Sequence, residues 1–437
     1  MNRFLLLLFF TPLFSFGQFT SIPDANFEQA LIDLGHDDLI DGQVLTSNIS
    51  GVDSLNIANL NIIDLTGIGA FTAITYLDFS GQGITSPDLS QNSFLTTLKC
   101  GANSLTSLDL SQNTALTYLD CSGNDIANID LSNNTALTHL IFIGVGNVSM
   151  GGVPINLDLT QNTSLNHLDC SGARLTSLDL SQNTALTYLN CSHTPLTNLD
   201  LSQNVALTYL NCISMVNLTS LDVTQNIALT ILACSENELT SLDVTQNIAL
   251  TTLSCYANAL TSIDVSQNLA LTHLSCESNQ INNLLVNQNL ALTRVQCGNN
   301  LLTSLDLSQN NALTHLNCGN NQLTCLNVAN GNNLNWALNP FFGTLELSTE
   351  NNPNLNCIEV DDAAWSATNV TTIDPHTTFS EDCNNDCSLV GIEEYTGQPK
   401  KLIRILDLLG RETNFKLNKL LIYQFKDGST EKVFVVE

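Results

Sequence analysis

Ten cysteines recur through the middle of this chain at almost fixed intervals. Cys100, Cys121, Cys170, Cys191, Cys212, Cys234, Cys255, Cys276, Cys297 and Cys318 lie 21 residues apart, with two exceptions. One extra residue precedes Cys234. A 49-residue gap after Cys121 holds one further turn, with Phe142 in the cysteine's place and a seven-residue insertion after it. Phe79 and Ile57 continue the column toward the N-terminus, so thirteen turns can be read. A chain of 437 residues is too long for one ordinary globular core. A faithful short period points instead to a solenoid, in which each turn buries its apolar side only against its two neighbours.

Each turn divides into two similar halves. Leu105-Thr-Ser-Leu108-Asp-Leu110-Ser-Gln-Asn113 is followed by Leu116-Thr-Tyr-Leu119-Asp-Cys121-Ser-Gly-Asn124. Both read L-x-x-L-x-[L/C]-x-x-N, so the turn is 11 plus 10 residues. This pattern resembles the bacterial leucine-rich-repeat subclass with a nested half-period, over residues 50–345. The resemblance implies a repeat solenoid, mainly β, with about two short strands per turn. Charged residues make up only 12% of the chain while Asn, Ser, Thr and Leu abound, a composition that suits short strands and tight polar turns.

Strand alternation then assigns directions, with positions four and six of each half pointing inward. The ten cysteines therefore line the core as small hydrophobes. In-register parallel strands aim their thiols alongside one another, which is poor geometry for bridging. Asn92, Asn113, Asn134, Asn162, Asn183, Asn204, Asn226, Asn247, Asn268, Asn289 and Asn310 close the other half-turn. Their amides are expected to satisfy backbone groups inside the coil, a structural role.

The ends are built differently. Residues 22–34 space their apolar side chains for a helix, with Asp24 as its N-cap behind Pro23. This segment, within a cap over residues 18–49, resembles the N-terminal caps of internalin-like repeats. Asn352-Pro-Asn-Leu-Asn-Cys357-Ile-Glu-Val360 opens a last irregular turn in a C-terminal cap over residues 346–387. Four cysteines lie outside the ladder: Cys325, Cys357, Cys383 and Cys387. They allow three disulfide pairings, of which one containing Cys357–Cys383 is preferred. A metal site at Cys383 and Cys387 lacks the further His or Cys it would need.

Residues 1–17 read as a secretory signal peptide: Arg3, the apolar run Phe4 to Phe10, Pro12, then Ser15 and Gly17 before a cleavage at Gln18. No stretch is long enough to span a bilayer. After residue 387 come Arg404-Ile-Leu-Asp-Leu-Leu-Gly410-Arg411-Glu412, Leu420-Leu-Ile-Tyr423 with Asp427-Gly428, and Lys432-Val-Phe-Val-Val-Glu437. These blocks resemble the C-terminal sorting domain of the type IX secretion system of Bacteroidetes, in a form shortened by loss of the opening Asn-Pro motif. The resemblance implies passage through the outer membrane by that machinery, then secretion or attachment at the cell surface.

Between residues 18 and 387 only Lys99, Arg174 and Arg294 stand against 34 acidic residues, a balance of −31. Such a surface repels phosphate backbones and anionic membranes. No nucleophile elbow, zinc-ligand helix or phosphate loop occurs, so no enzyme and no obligate cofactor are expected. Two outward columns remain. Position three of the cysteine strand carries Tyr118, His139, His167, Tyr188, Tyr209, Ile231, Thr252, His273, Arg294 and His315, a set suited to binding a protein or glycan. The other half carries Asp88, Asp109, Asp130, Asp158, Asp179, Asp200, Asp222, Asp243, Asp264 and Asp306, interrupted by Leu285 and Asn327. Stacked carboxylates repel by about 1 kcal/mol per neighbouring pair even in water. Hydrogen bonds from Ser or Thr at position seven would offset this, as would calcium bridging Asp179, Asp200, Asp222, Asp243 and Asp264. The expected function is recognition at the cell surface. The alternative is a structural or adhesive spacer about 60 Å long.

Overall fold

In a computed structural model the chain forms two units, Met1–Cys387 and Ser388–Glu437. The structure describes residues 18–144, 155–215, 218–333, 347–384 and 387, and the backbone of three strands beyond them. Residues 1–17, expected to be a signal peptide, and most of the insertion after Phe142 lie outside the described residues.

The first unit is a stack of turns around one parallel sheet of fourteen strands, ordered along the chain from Ser54–Asn56 to Leu347–Ser348. Leu347–Ser348 adds one turn to the thirteen read from the sequence. Each strand is three residues long or shorter, because only L-x-x-L-x-C offers the alternation a strand needs before the turn residues intervene. In Tyr118–Asp120 the central Leu119 is buried while its neighbours are half-buried. Leu119 stands opposite Leu98 and Leu140, and register holds across both irregular spacings: Leu210 faces Leu232, and His139 faces His167. Insertions are absorbed in the turns, since a one-residue slip would expose every core leucine.

The ladder cysteines are buried and unbridged. Their thiols turn toward the next turn's backbone: Cys100 Sγ–H donates to the Asp120 carbonyl at 3.4 Å and Cys170 Sγ–H to that of Asn190 at 3.5 Å. Two residues beyond the ladder position the backbone is left-handed, at φ of 51–59° in Asn59, Ala102, His193, Ser214, Glu236, Ala257, Ser278, Asn299 and Asn320. Gly81, Gly123 and Gly172 take the same place. For the non-glycine residues this conformation costs about 1–2 kcal/mol each. The next residue compensates: Asn124 Nδ2 donates to the carbonyls of Cys100, Cys121 and Ser122, and its Oδ1 accepts from Leu105 N–H. Asn258, Asn279, Asn300 and Asn321 repeat the arrangement.

The second asparagine column, from Asn92 to Asn310, is wholly buried. Asn226 Nδ2 donates to Leu201 O at 3.0 Å and Asn204 O at 2.9 Å, tying each turn to the one before. The Oδ1 of these side chains has no partner among the described residues.

The fold is the expected solenoid, with one difference of detail. Among the described residues a second strand per turn forms at the C-terminal end, where Ser304–Asp306, Cys325–Asn327, Cys357–Glu359 and Thr378–Ser380 make a four-stranded parallel sheet, while Asn128–Asn156 and Ile155–Leu175 pair only as isolated bridges. In earlier turns this half is closed locally by the Asp column, whose side chains take backbone N–H groups of their own turn. At the C-terminal end the strands are drawn together by the disulfides Cys325–Cys387 and Cys357–Cys383, with Cα atoms 5.5 and 5.9 Å apart, and by Asn327 Nδ2 donating to Glu359 at 3.0 Å. With each in a separate bridge, Cys383 and Cys387 offer no thiolate pair to a metal.

The N-terminal cap is a helix, Ala25–Asp33, whose N-cap Asp24 accepts from the N–H groups of Asn26 and Phe27. The other carboxylate oxygen of Asp24 accepts from Ile63 and Asp64, fastening the cap to the first turns. Glu28, fully buried, accepts three N–H groups from Asp41, Gly42 and Gln43. In the C-terminal cap Asp362 begins the helix Ala363–Asn369. The second unit contains an antiparallel meander of Leu402–Leu406, Leu420–Phe425 and Thr430–Phe434. Among the described residues no helix is long and apolar enough to cross a membrane.

Candidate binding face

Position three of the strands presents one side chain per turn at the sheet's outer surface, and cross-strand register makes neighbours of residues 21 apart. Five of them stack. Ring centroids are 5.9 Å apart between Tyr118 and His139, 5.3 Å between His139 and His167, 4.0 Å between His167 and Tyr188, and 4.4 Å between Tyr188 and Tyr209. The last two pairs are nearly parallel, at 7° and 6°. Lys99 extends the ladder, its ammonium 5.8 Å from the Tyr118 ring and 5.9 Å from that of Tyr76. Tyr76 and Lys99 were not among the residues singled out from sequence. Tyr76 sits two full periods before Tyr118, and Lys99 reaches the ladder diagonally from position five.

A parallel stack covers ring faces and leaves edges and hydroxyls to solvent. Burial, and then neighbouring Tyr209, pushes the Tyr188 phenol up to about 12, so it stays a protonated donor. The Tyr118 phenol is raised as well, chiefly by burial. Burial, and then neighbouring His139, lowers His167, which favours its uncharged form. Thr138 Oγ1 donates to the Thr117 carbonyl and so accepts from His139 Nδ1–H, at 2.9 Å. Thr272 and Thr314 hydroxyls sit against Nδ1 of His273 and His315 in the same way, at 2.9 and 2.7 Å.

Beyond Tyr209 the face changes. Thr252, Ser254 and Ser275 are short, and with Tyr256, His273, Glu277, Arg294 and Gln296 they line a depression of about 360 Å³. His273, Arg294 and His315 stand on adjacent strands in direct register. Arg294 has no carboxylate partner among the described residues. Burial raises the Glu277 carboxyl, although Asn317 and Ser275 donate to it. The sequence-selected column thus forms two zones, an aromatic ladder and a cationic depression.

The Asp column occupies the other half of the turn. From Asp88 to Asp306 each Oδ1 accepts the N–H of the Ser or Thr two residues on, at 2.9–3.0 Å. Thr160, Thr224 and Thr245 hydroxyls donate too, at 2.7 Å. These bonds hold the carboxyls of Asp109, Asp179 and Asp222 below the usual range, and repulsion from neighbouring aspartates is the weaker influence. Asp200, Asp222 and Asp243 border a shallow groove of about 540 Å³. Among the described residues no three His, Cys, Asp or Glu side chains gather as a metal site requires.

One further column escaped the sequence reading. Val205, Ile227, Ile248, Leu269 and Leu290, each following a buried asparagine, form an exposed aliphatic stripe on successive turns.

No family model matches this sequence, and no curated protein matches it. Solved structures do. The functional domain of InlJ from Listeria monocytogenes, described as including a cysteine ladder, is 28% identical; the match covers 96% of this chain and 99% of that one with a TM-score of 0.62. An internalin, inlF, from the same organism is 24% identical over 70% of this chain and 89% of that one, with a TM-score of 0.61. A leucine-rich-repeat protein of Leptospira interrogans is 22% identical over 64% of this chain and 80% of its own, with a TM-score of 0.54. The last two share the fold.

Proposed function

We propose that this chain is a non-catalytic recognition protein, exported and displayed or released at the cell surface, which binds a protein partner through the outer face of its sheet. The observation that carries this reading is the ring ladder from Tyr76 to Tyr209. Seven neighbouring turns hold amphipathic side chains in one fixed, half-exposed row, so little side-chain freedom is lost when a partner docks. The stack also favours protein over glycan, because a sugar ring packs on an open aromatic face and here the inner faces are covered by each other.

Export rests on the leader and on the resemblance of residues 388–437 to a type IX sorting domain. The two disulfides favour an oxidising compartment. The test is a triple substitution, Tyr188→Ala, Tyr209→Ala and His273→Ala. It is expected to abolish capture of the native partner while leaving the circular dichroism spectrum unchanged. Undiminished capture would overturn the reading and favour a spacer, which should tolerate changes on either outward column.

A further inference from the structure

The depression beyond Tyr209 sets an unpaired cation in a strongly acidic molecule. Arg294 is one of three basic residues against 34 acidic ones between residues 18 and 387, yet it has no carboxylate partner among the described residues. It stands between His273 and His315 in register, above a floor of Thr252, Ser254 and Ser275 hydroxyls. A guanidinium left unpaired among so many carboxylates is free to take one from outside, and its planar fork fits that group. The volume, about 360 Å³, matches one side chain with its flanking backbone.

We propose that this depression is a carboxylate subsite, in which Arg294 receives a single Asp or Glu side chain from an extended segment of the protein partner. The surrounding charge of −31 disfavours phosphate chains and other polyanions. The sheet continues past the depression on both sides, toward Tyr209 and toward His315, so a passing chain fits better than a chain end. Gln296 places a neutral amide donor in the same lining.

The neighbouring titratable groups sharpen the expectation. His273 presents Nε2, an acceptor in the neutral ring and a donor once protonated. Glu277 and the Tyr256 phenol, which donates to Glu236, also border the site. Burial raises the Glu277 carboxyl, and its protonation favours an incoming anion, so binding should tighten as pH falls.

The inference rests on the recognition reading but is tested apart from it. The probe is the capped peptide acetyl-Ala-Glu-Ala-amide, titrated into the full chain carrying isotope-labelled histidine and arginine, and followed by nuclear magnetic resonance. His273, His315 and Arg294 signals are expected to shift saturably, more tightly at pH 6 than at pH 8. The glutamine counterpart should leave them in place. Arg294→Gln should weaken binding at least about tenfold, Arg294→Lys should retain part of it, and Tyr188→Ala should retain all of it. Equal shifts with the glutamine peptide, or unchanged binding in Arg294→Gln, would overturn the subsite. Binding of uncapped Ala-Ala-Ala through its terminal carboxylate in preference to the glutamate peptide would overturn the side-chain assignment. Those failures leave the ladder untouched, whereas partner capture surviving Tyr188→Ala combined with Tyr209→Ala, neither of which borders the depression, overturns the ladder and not this subsite.

Discussion

A cysteine with no base or cation beside it acts as a small apolar side chain, and the ladder consists of ten of these. Burial raises every thiol, bringing Cys191, Cys234 and Cys318 to about 12. The nucleophilic thiolate is therefore scarce at neutral pH. Iodoacetamide at pH 8 is expected to add to none of the ten ladder thiols in the folded protein and to all ten in denaturant, as read by intact mass. Adducts on folded protein would show that the column opens or that a thiol is activated. The inward direction of these cysteines followed from alternation alone. The left-handed residue two places on did not, because the column holds Ala102, His193, Glu236 and Ala257 beside its glycines, and no single side chain advertises the dihedral. What makes it tolerable is the following side chain, Asn103, Asn237 or Asn258 after three of these and Thr194 after His193, each donating to carbonyls of the ladder turn.

At the level of the half-turn, stacked carboxylates posed a question that the structure answers with local hydrogen bonds. Each Asp of the column is held by the Ser or Thr two residues on, and from Asp88 to Asp264 the carboxyls are lowered. A carboxyl lowered in the folded state contributes stability that is present above its unfolded value and is lost as pH falls through the folded one. The solenoid should thus hold its melting temperature from neutral pH to about pH 5 and lose it progressively below about pH 4. Thr224→Val and Thr245→Val should each raise the carboxyl titration of Asp222 or Asp243, measured by nuclear magnetic resonance. Millimolar calcium, compared with chelator, should leave the melting temperature unchanged. An increase of several degrees would mean that cations bridge the column after all. The second strand per turn was expected throughout and, among the described residues, forms near the disulfides. The motif shows a strand's alternation in both halves but cannot show whether neighbouring rungs come close enough to bond.

Across the whole molecule, the period made nearly all of the architecture legible, because register repeats and a single assigned residue orients every other. The functional face was legible only in part. Position three identified the column, yet stacking depends on side-chain geometry, and the depression depends on residues that are small rather than distinctive. Lys99 and Tyr76 joined the ladder through a diagonal contact that period counting does not reveal. The exposed aliphatic stripe from Val205 to Leu290 is a second surface on the same turns, so the account must say which one a partner covers. Hydroxyl-radical footprinting of the full chain, alone and with its captured partner, reads both columns in one measurement. The account predicts that oxidation falls at Tyr118, Tyr188, Tyr209 and His273 while Ile227, Ile248 and Leu269 stay as reactive as before. Protection of the aliphatic stripe with the ring ladder unchanged would contradict it.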